Sequence, residues 1–152
     1  MAMNVADSES AAKAAKRVKL LGLLVAVVGL IMAVAGAVTW VTVQTSLADE
    51  KITVSEDADR FAGDAVDGPL TAYSEADIIE KHALEATGGK TYAELDREDP
   101  TRETVMTGSF LRASLFTSVV SFGVAAMAMV LGIVLILIGI ALRQLARATS
   151  AV

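Results

Sequence analysis

The side chains able to do chemistry are few, and the single histidine is the first of them. His82 lies in the stretch DIIEKHALEA, three residues before Glu85. Residues three apart share one face of a helix, so the two form a candidate pair for proton transfer or for binding a small ligand or a metal. A metal site needs at least three or four suitable ligands, which makes this pair a poor candidate. We expect instead a half-buried histidine that packs on the second long helix.

Two further patterns resemble ligand sites only in part. Four aspartates lie between residues 57 and 67 (Asp57, Asp59, Asp64 and Asp67). Their spacing differs from the Asp-x-Asp-x-Asp-Gly calcium loop with its distal glutamate, so we expect a solvated acidic surface. The GGKT segment at 88–91 lacks the first glycine and the strand of a phosphate loop. The chain has no cysteine, so thiolate chemistry and disulfides are excluded. We predict no catalytic site, no bound cofactor and no metal.

Two long stretches of the sequence contain no charged residue. No charged residue lies between Lys19 and Asp49, and the 30 residues from 113 to 142 are also free of charge. A membrane span needs about 20 apolar residues of helix. We predict transmembrane helices over 20–43 and 113–142. The first apolar run has 24 residues, longer than the roughly 7–15 of a signal peptide, and we expect it to be retained.

The charges on either side of the spans predict the topology. The arm 1–19 has four basic and two acidic residues, and the tail 143–152 has two basic residues and no acid. The segment 44–112 has 16 acidic and 7 basic residues, a net charge of −9. Because lysine and arginine beside a span stay in the cytoplasm, both termini should be cytoplasmic and 44–112 extracytoplasmic. An acidic outer segment also argues against nucleic-acid binding.

Small residues follow a regular spacing along both predicted spans. Steps of three and four place them on one face of each helix, where they allow close packing in lipid. The members of this small-residue seam are Gly22, Ala26, Gly29, Ala33, Gly36, Ala125, Ala128, Gly132 and Gly139. In an antiparallel pair, Gly22 would meet Gly139, Gly29 would meet Gly132, and Gly36 would meet Ala125. The spacing leaves open whether the seams face each other or the helices of a partner.

The segment between the spans is predicted to form short secondary-structure elements. Ile52 and Val54 alternate with polar residues, as in a short strand or an extended piece. Ser74 with Asp77 predicts a capped helix over about 75–86 that stops at the Gly88–Gly89 pair. Thr91 with Glu94 predicts a second, short helix over YAELDR.

The passage into the second span has its own signals. Asp99–Pro100 predicts the start of a third helix that runs unbroken into the span. At the other end of the chain, residues 1–12 show no apolar period, and we expect them to be disordered.

Three blocks resemble a known family. ITVSEDADRFAG, GGKTYAELDREDP and FLRASLFTSVV are similar to small two-span membrane proteins of actinobacteria, many of which carry the label "aromatic ring-opening dioxygenase LigA". The resemblance covers about residues 20–142 and implies two spans in an actinobacterial plasma membrane. Extradiol ring-cleaving enzymes hold iron with two histidines and a carboxylate, and this chain has one histidine. We therefore expect no ring-cleaving activity.

Together these patterns predict an all-α membrane protein, a two-helix transmembrane hairpin with a small, mainly helical extracytoplasmic cap. A cap of this size without disulfides is marginally stable alone, which favours support from the helices or from a partner. The function we expect is that of a non-catalytic accessory subunit in a larger plasma-membrane complex, respiratory or envelope-transporting, with membrane lipids and other subunits as partners. The alternatives are a homo-oligomeric scaffold or sensor, or a cap that binds a small ligand or metal.

Overall fold

The computed structural model describes residues 5–149 of the chain, without the side chains of 5–8, 11 and 149. Its elements in chain order are α1 (Val5–Asp49), α2 (Pro69–Ala86), a 3₁₀ turn (Tyr92–Glu94) and α3 (Arg102–Thr149). Within residues 5–149 there is no strand, only an isolated antiparallel bridge between Thr53 and Ala65. The prediction of an all-helical chain is confirmed.

Helices α1 and α3 are the two long apolar elements. Each contains a stretch that is long and apolar enough to cross a membrane, judged by length and composition. Helix α3 continues without interruption through Gly108 and the first turns of the charge-free stretch. The predicted unbroken helix from about 101 past 112 is therefore confirmed, because nothing there removes a backbone donor or requires a positive φ.

The described residues form two compact units. The helix-pair unit consists of the described residues within 1–38 and 125–152, and the middle unit is Thr39–Val124. In the helix-pair unit α1 and α3 run antiparallel, since Gly22 faces Gly139 and Gly36 faces Ala125. Residues 1–4 and 150–152 lie outside the described residues, as do the ends of the predicted arm and tail.

The core of the middle unit takes residues from α1, from the loop that follows it, from α2 and from α3. Leu47 comes from α1, and Leu115 and Phe122 come from α3. The loop between α1 and α2 and helix α2 itself supply the remaining members, Val54, Val66, Ala72 and Ala76. Trp40 packs edge-on against the Phe122 ring, with centroids 4.7 Å apart. The ends of the long helices thus supply part of the apolar area that a segment of this size lacks alone.

Helix α2 begins earlier than its sequence pattern indicated. It starts at Pro69, not near residue 75, and its end at Ala86 lies where the glycine pair predicted it. Proline at the first helical position loses no hydrogen bond, and the Gly68 N–H donates to the Thr71 hydroxyl oxygen at 3.2 Å. Ser74 is therefore a helical residue rather than a cap. Gly88 and Gly89 have φ of 64° and 88°, which ends the helix.

The remaining boundaries show one confirmed signal and three corrections. Thr91 and Glu94 form the predicted capping box, but the element that follows is a single 3₁₀ turn rather than a helix over YAELDR. Helix α3 starts at Arg102, two residues after Pro100. Residues 5–12, expected to be disordered, lie in α1. They are rich in alanine, and extending an existing helix avoids the cost of nucleating a new one.

Candidate functional site

The closest approach between α1 and α3 occurs at three glycines of α1. A Cβ placed on Gly22 would lie 2.7 Å from the Gly139 carbonyl oxygen, and one on Gly29 would lie 2.5 Å from that of Gly132. One on Gly36 would lie 2.6 Å from the Ala125 carbonyl oxygen. These distances leave no room for a side chain, so the backbones themselves are in contact. All three glycines are buried.

The other members of the small-residue seam lie beside these contacts. Ala26 is next to Gly139, and Ala33 is next to Gly132. Ala128 is half-buried on the same helix as both glycines. Close packing of this kind holds apolar helices together where lipid provides no hydrophobic drive. In this structure the seams of α1 and α3 therefore face each other.

In the middle unit, three side chains of α2 hold the preceding loop. The buried carboxylate of Glu75, 7% exposed, accepts a hydrogen bond from the Ser55 backbone N–H at 2.8 Å. The Ser55 hydroxyl donates to the same carboxylate oxygen at 3.3 Å. The Ser74 hydroxyl donates to the Arg60 carbonyl oxygen at 2.6 Å. A buried carboxylate is costly unless it is hydrogen-bonded, so the loop and the helix stabilise each other.

His82 makes the third of these contacts. Its Nε2 lies 2.7 Å from Oδ2 of Asp57, 25 residues earlier in the chain. The His82 side chain is 45% exposed and thus about half-buried, and its polar contact is with the loop residue Asp57. An acidic partner in the loop keeps the polar imidazole at the surface. The hydrogen bond from His82 is the largest cause that lowers the pKa of the Asp57 carboxyl below its usual 3.8.

The candidate ligand pair of His82 and Glu85 does not extend into a metal site. Glu85 is exposed, and among the described residues no group of three or more His, Cys, Asp or Glu is placed to hold a metal ion. The imidazole contact with Asp57 instead orients the histidine and links α2 to the loop. We assign the His82–Asp57 pair a structural role.

Further contacts attach the turn before α3 to α3 itself. Arg102 lies over the Tyr92 ring at 4.1 Å and donates to the Leu95 carbonyl oxygen at 2.7 Å. Hydrogen bonds from the Thr91 N–H and hydroxyl lower the pKa of the Glu94 carboxyl. Those from the Thr101 hydroxyl and N–H do the same for Asp99. Glu94 completes the capping box of the 3₁₀ turn, and Asp99 lies just before the start of α3, where negative charge is stabilised.

Helix α2 also packs lengthwise on α3. Its first turns reach Phe116, because the Tyr73 and Phe116 rings meet edge to face with centroids 5.7 Å apart. Further along, Glu80 pairs with Arg112. Gly108 then lies opposite Ala83. The two helices therefore run antiparallel, and the start of α2 lies beside the start of the charge-free stretch of α3.

A groove of about 220 Å³ lies beside the first turns of α2. Its apolar rim is formed by Phe61, Leu70 and Tyr73, whose side chains are 39%, 67% and 51% exposed. Neither the groove nor the Asp57 partner of His82 was predicted from the sequence. The one available signal was the apolar Leu70 and aromatic Phe61 in an otherwise polar stretch.

Comparisons with family models, with curated proteins and with solved structures found no match in any of the three.

Proposed function

We propose that the protein crosses the plasma membrane twice, through α1 and α3, and holds residues 44–112 outside as a small acidic module. Its role is that of a non-catalytic accessory subunit in a larger membrane assembly, respiratory or envelope-transporting. The exposure of the apolar helices supports the membrane location. In the most apolar window of each helix only 17% of the residues are buried, whereas the core helix of a soluble protein is mostly buried. Water would face an apolar surface far larger than soluble monomers tolerate.

The main support for the accessory role is the core of the middle unit, which the long helices share with the loop and α2. Leu47 at the end of α1 and Leu115 and Phe122 in α3 pack in one cluster with the loop and α2. The module is thereby fixed to the helices rather than tethered by linkers. Its polar contacts join its own segments to one another, through Glu75, Asp57 and Arg102. Such an arrangement suits a docking part that must hold one orientation.

The charge of the module indicates the kind of partner. Residues 44–112 carry 16 acidic and 7 basic side chains, so a partner surface should be basic there. Electrostatic complementarity of this kind speeds association and weakens with salt.

Purification of the tagged full chain from native membranes tests the role. We expect foreign membrane subunits in constant ratio at low salt, identified by mass spectrometry, and their partial loss at high salt. An untagged strain controls for background. A single species of this chain alone, at low salt and with mild extraction, would contradict the proposal and favour a homo-oligomeric scaffold.

Cysteine labelling in intact cells tests the topology. The chain has no native cysteine, and Ala14 and Glu98 are both exposed. A membrane-impermeant maleimide should label Glu98→Cys in intact cells and Ala14→Cys only after permeabilisation. Labelling of Ala14→Cys in intact cells would overturn the proposed orientation.

A further inference from the structure

Three exposed apolar side chains of the middle unit lie together around one groove. Phe61 comes from the loop, and Leu70 and Tyr73 come from the first turns of α2. The buried side chain of Ile78 also lines the groove. The charged residues of the lining are two acidic and two basic ones, namely Asp59, Asp77, Arg60 and Lys81. The groove is thus locally balanced in charge, unlike the acidic segment around it.

The backbone that presents Phe61 is strained. Phe61 has φ of 59°, a left-handed conformation that is unfavourable for residues other than glycine. Hydrogen bonds from the Asp64 N–H to the Phe61 carbonyl oxygen and from the Gly63 N–H to that of Val54 hold the turn. The fold therefore keeps a large apolar ring at the surface in a conformation that the chain does not favour.

The position of the apolar rim along α3 indicates its depth in a bilayer. The charge-free stretch from 113 to 142 has 30 residues and a helical length of about 45 Å. A bilayer with both headgroup layers is about 40–45 Å thick. With this stretch spanning both headgroup layers, Phe116 would lie about 4.5 Å inside the outer edge of the headgroup layer. Tyr73 packs on Phe116, so the rim formed with Leu70 and Phe61 would lie at the headgroup level in that placement.

We propose that Phe61, Leu70 and Tyr73 form a lipid contact that inserts into the headgroup layer of the outer leaflet. The inference rests on the proposed two-span topology. Aromatic residues with one polar end are enriched at this depth because they pack on acyl chains and still hydrogen-bond water. The Tyr73 hydroxyl and the exposed Arg60 provide the polar groups. This contact would fix the height of the acidic module above the membrane.

Site-directed spin labels test the contact on the full chain in vesicles of phosphatidylcholine and phosphatidylglycerol. Leu70→Cys is the test position, and Ala86→Cys is a matched control at the other, exposed end of the same helix. Val134→Cys reports on an exposed position of the apolar stretch of α3. Power saturation with oxygen, which concentrates in lipid, and with a water-soluble nickel chelate gives the depth of each label.

We expect the Leu70→Cys label to collide several-fold less with the nickel chelate, and more with oxygen, than the Ala86→Cys label. Phe61→Cys should behave like Leu70→Cys and guards against a local effect of one substitution. Equal nickel access at Leu70 and Ala86 would overturn the lipid contact. Shielding of Leu70 from both reagents would overturn it as well, since a polypeptide would then cover the rim. Free nickel access at Val134 would instead refute the two-span topology itself.

Discussion

Replacing Gly29 should separate the long helices, and the structure sets the size of the effect. A Cβ there would lie 2.5 Å from the Gly132 carbonyl oxygen, while ordinary contact begins at 3.4 Å, so alanine requires 0.9 Å more space. The attraction between one pair of facing atoms is about 0.1–0.2 kcal/mol, and a gap of that size loses a quarter to a half of it. Over roughly 30 pairs the loss is about 1–2 kcal/mol for Gly29→Ala. For Gly29→Leu we expect about 3 kcal/mol.

The measurement is unfolding of the full chain by sodium dodecyl sulfate titrated into mild detergent. Trp40 is the only tryptophan and packs on Phe122 of α3, so its fluorescence reports separation of the helices. Val28→Leu is the matched control, because Val28 is exposed and should change the free energy of unfolding by less than about 0.5 kcal/mol. If Gly29→Leu and Val28→Leu unfold at the same detergent fraction, the close-packing argument is refuted.

A cysteine crosslink gives an independent readout of the same contact. Gly36→Cys with Ala125→Cys should crosslink within one chain, since the two positions meet across the helix pair. Val28→Cys with Val134→Cys, both at exposed positions, should not. Efficient crosslinking of the first pair to another protein would mean that the seams face a partner in the native membrane.

Three further substitutions test the middle unit. Glu75→Ala leaves the Ser55 N–H without its buried acceptor and should lower the free energy of unfolding by about 1.5–3 kcal/mol, whereas Glu85→Ala, at an exposed position, should leave it nearly unchanged in the same titration. The pKa of Asp57 is lowered from 3.8, so its stabilisation is complete above about pH 4 and is lost as the pH falls below that value. Asp57→Asn should therefore reduce the fall in Tm between about pH 5 and pH 3, and an unchanged fall would contradict the contact. Gly88 has φ of 64° and open space around it, so Gly88→Ala should cost about 1–2 kcal/mol through strain alone. Gly123→Ala, in helix and also in open space, should be neutral or stabilising by up to about 1 kcal/mol, and equal losses at both would refute the strain argument.

The sequence by itself determined the features that depend on residues adjacent along the chain. Long runs without charge predicted two long apolar helices, and the structure has them in α1 and α3. The absence of a stop signal after Pro100 predicted that the last helix continues past Arg112. The Gly88–Gly89 pair predicted where α2 ends, because only glycine adopts that positive φ without strain.

Errors arose where a local signal had two interpretations. The Ser74–Asp77 pattern is typical of a helix start but also fits the interior of a helix, and the first interpretation placed the start of α2 too late. Asp99–Pro100 was read as the beginning of a helix that starts two residues later. In both cases the deciding factor is which backbone N–H groups find acceptors, and residue types alone do not specify it.

Only the tertiary structure decided which distant side chains meet. Asp57 reaches His82 across 25 residues, and Ser55 reaches Glu75 across 20. Tyr73 rests on Phe116 because α2 packs antiparallel along α3. No spacing rule connects these pairs, since a loop of irregular backbone lies between them. The charge and apolar patterns set the elements, and the core around Leu47 and Phe122 set where those elements meet, because burying that apolar area is what brings separate segments together.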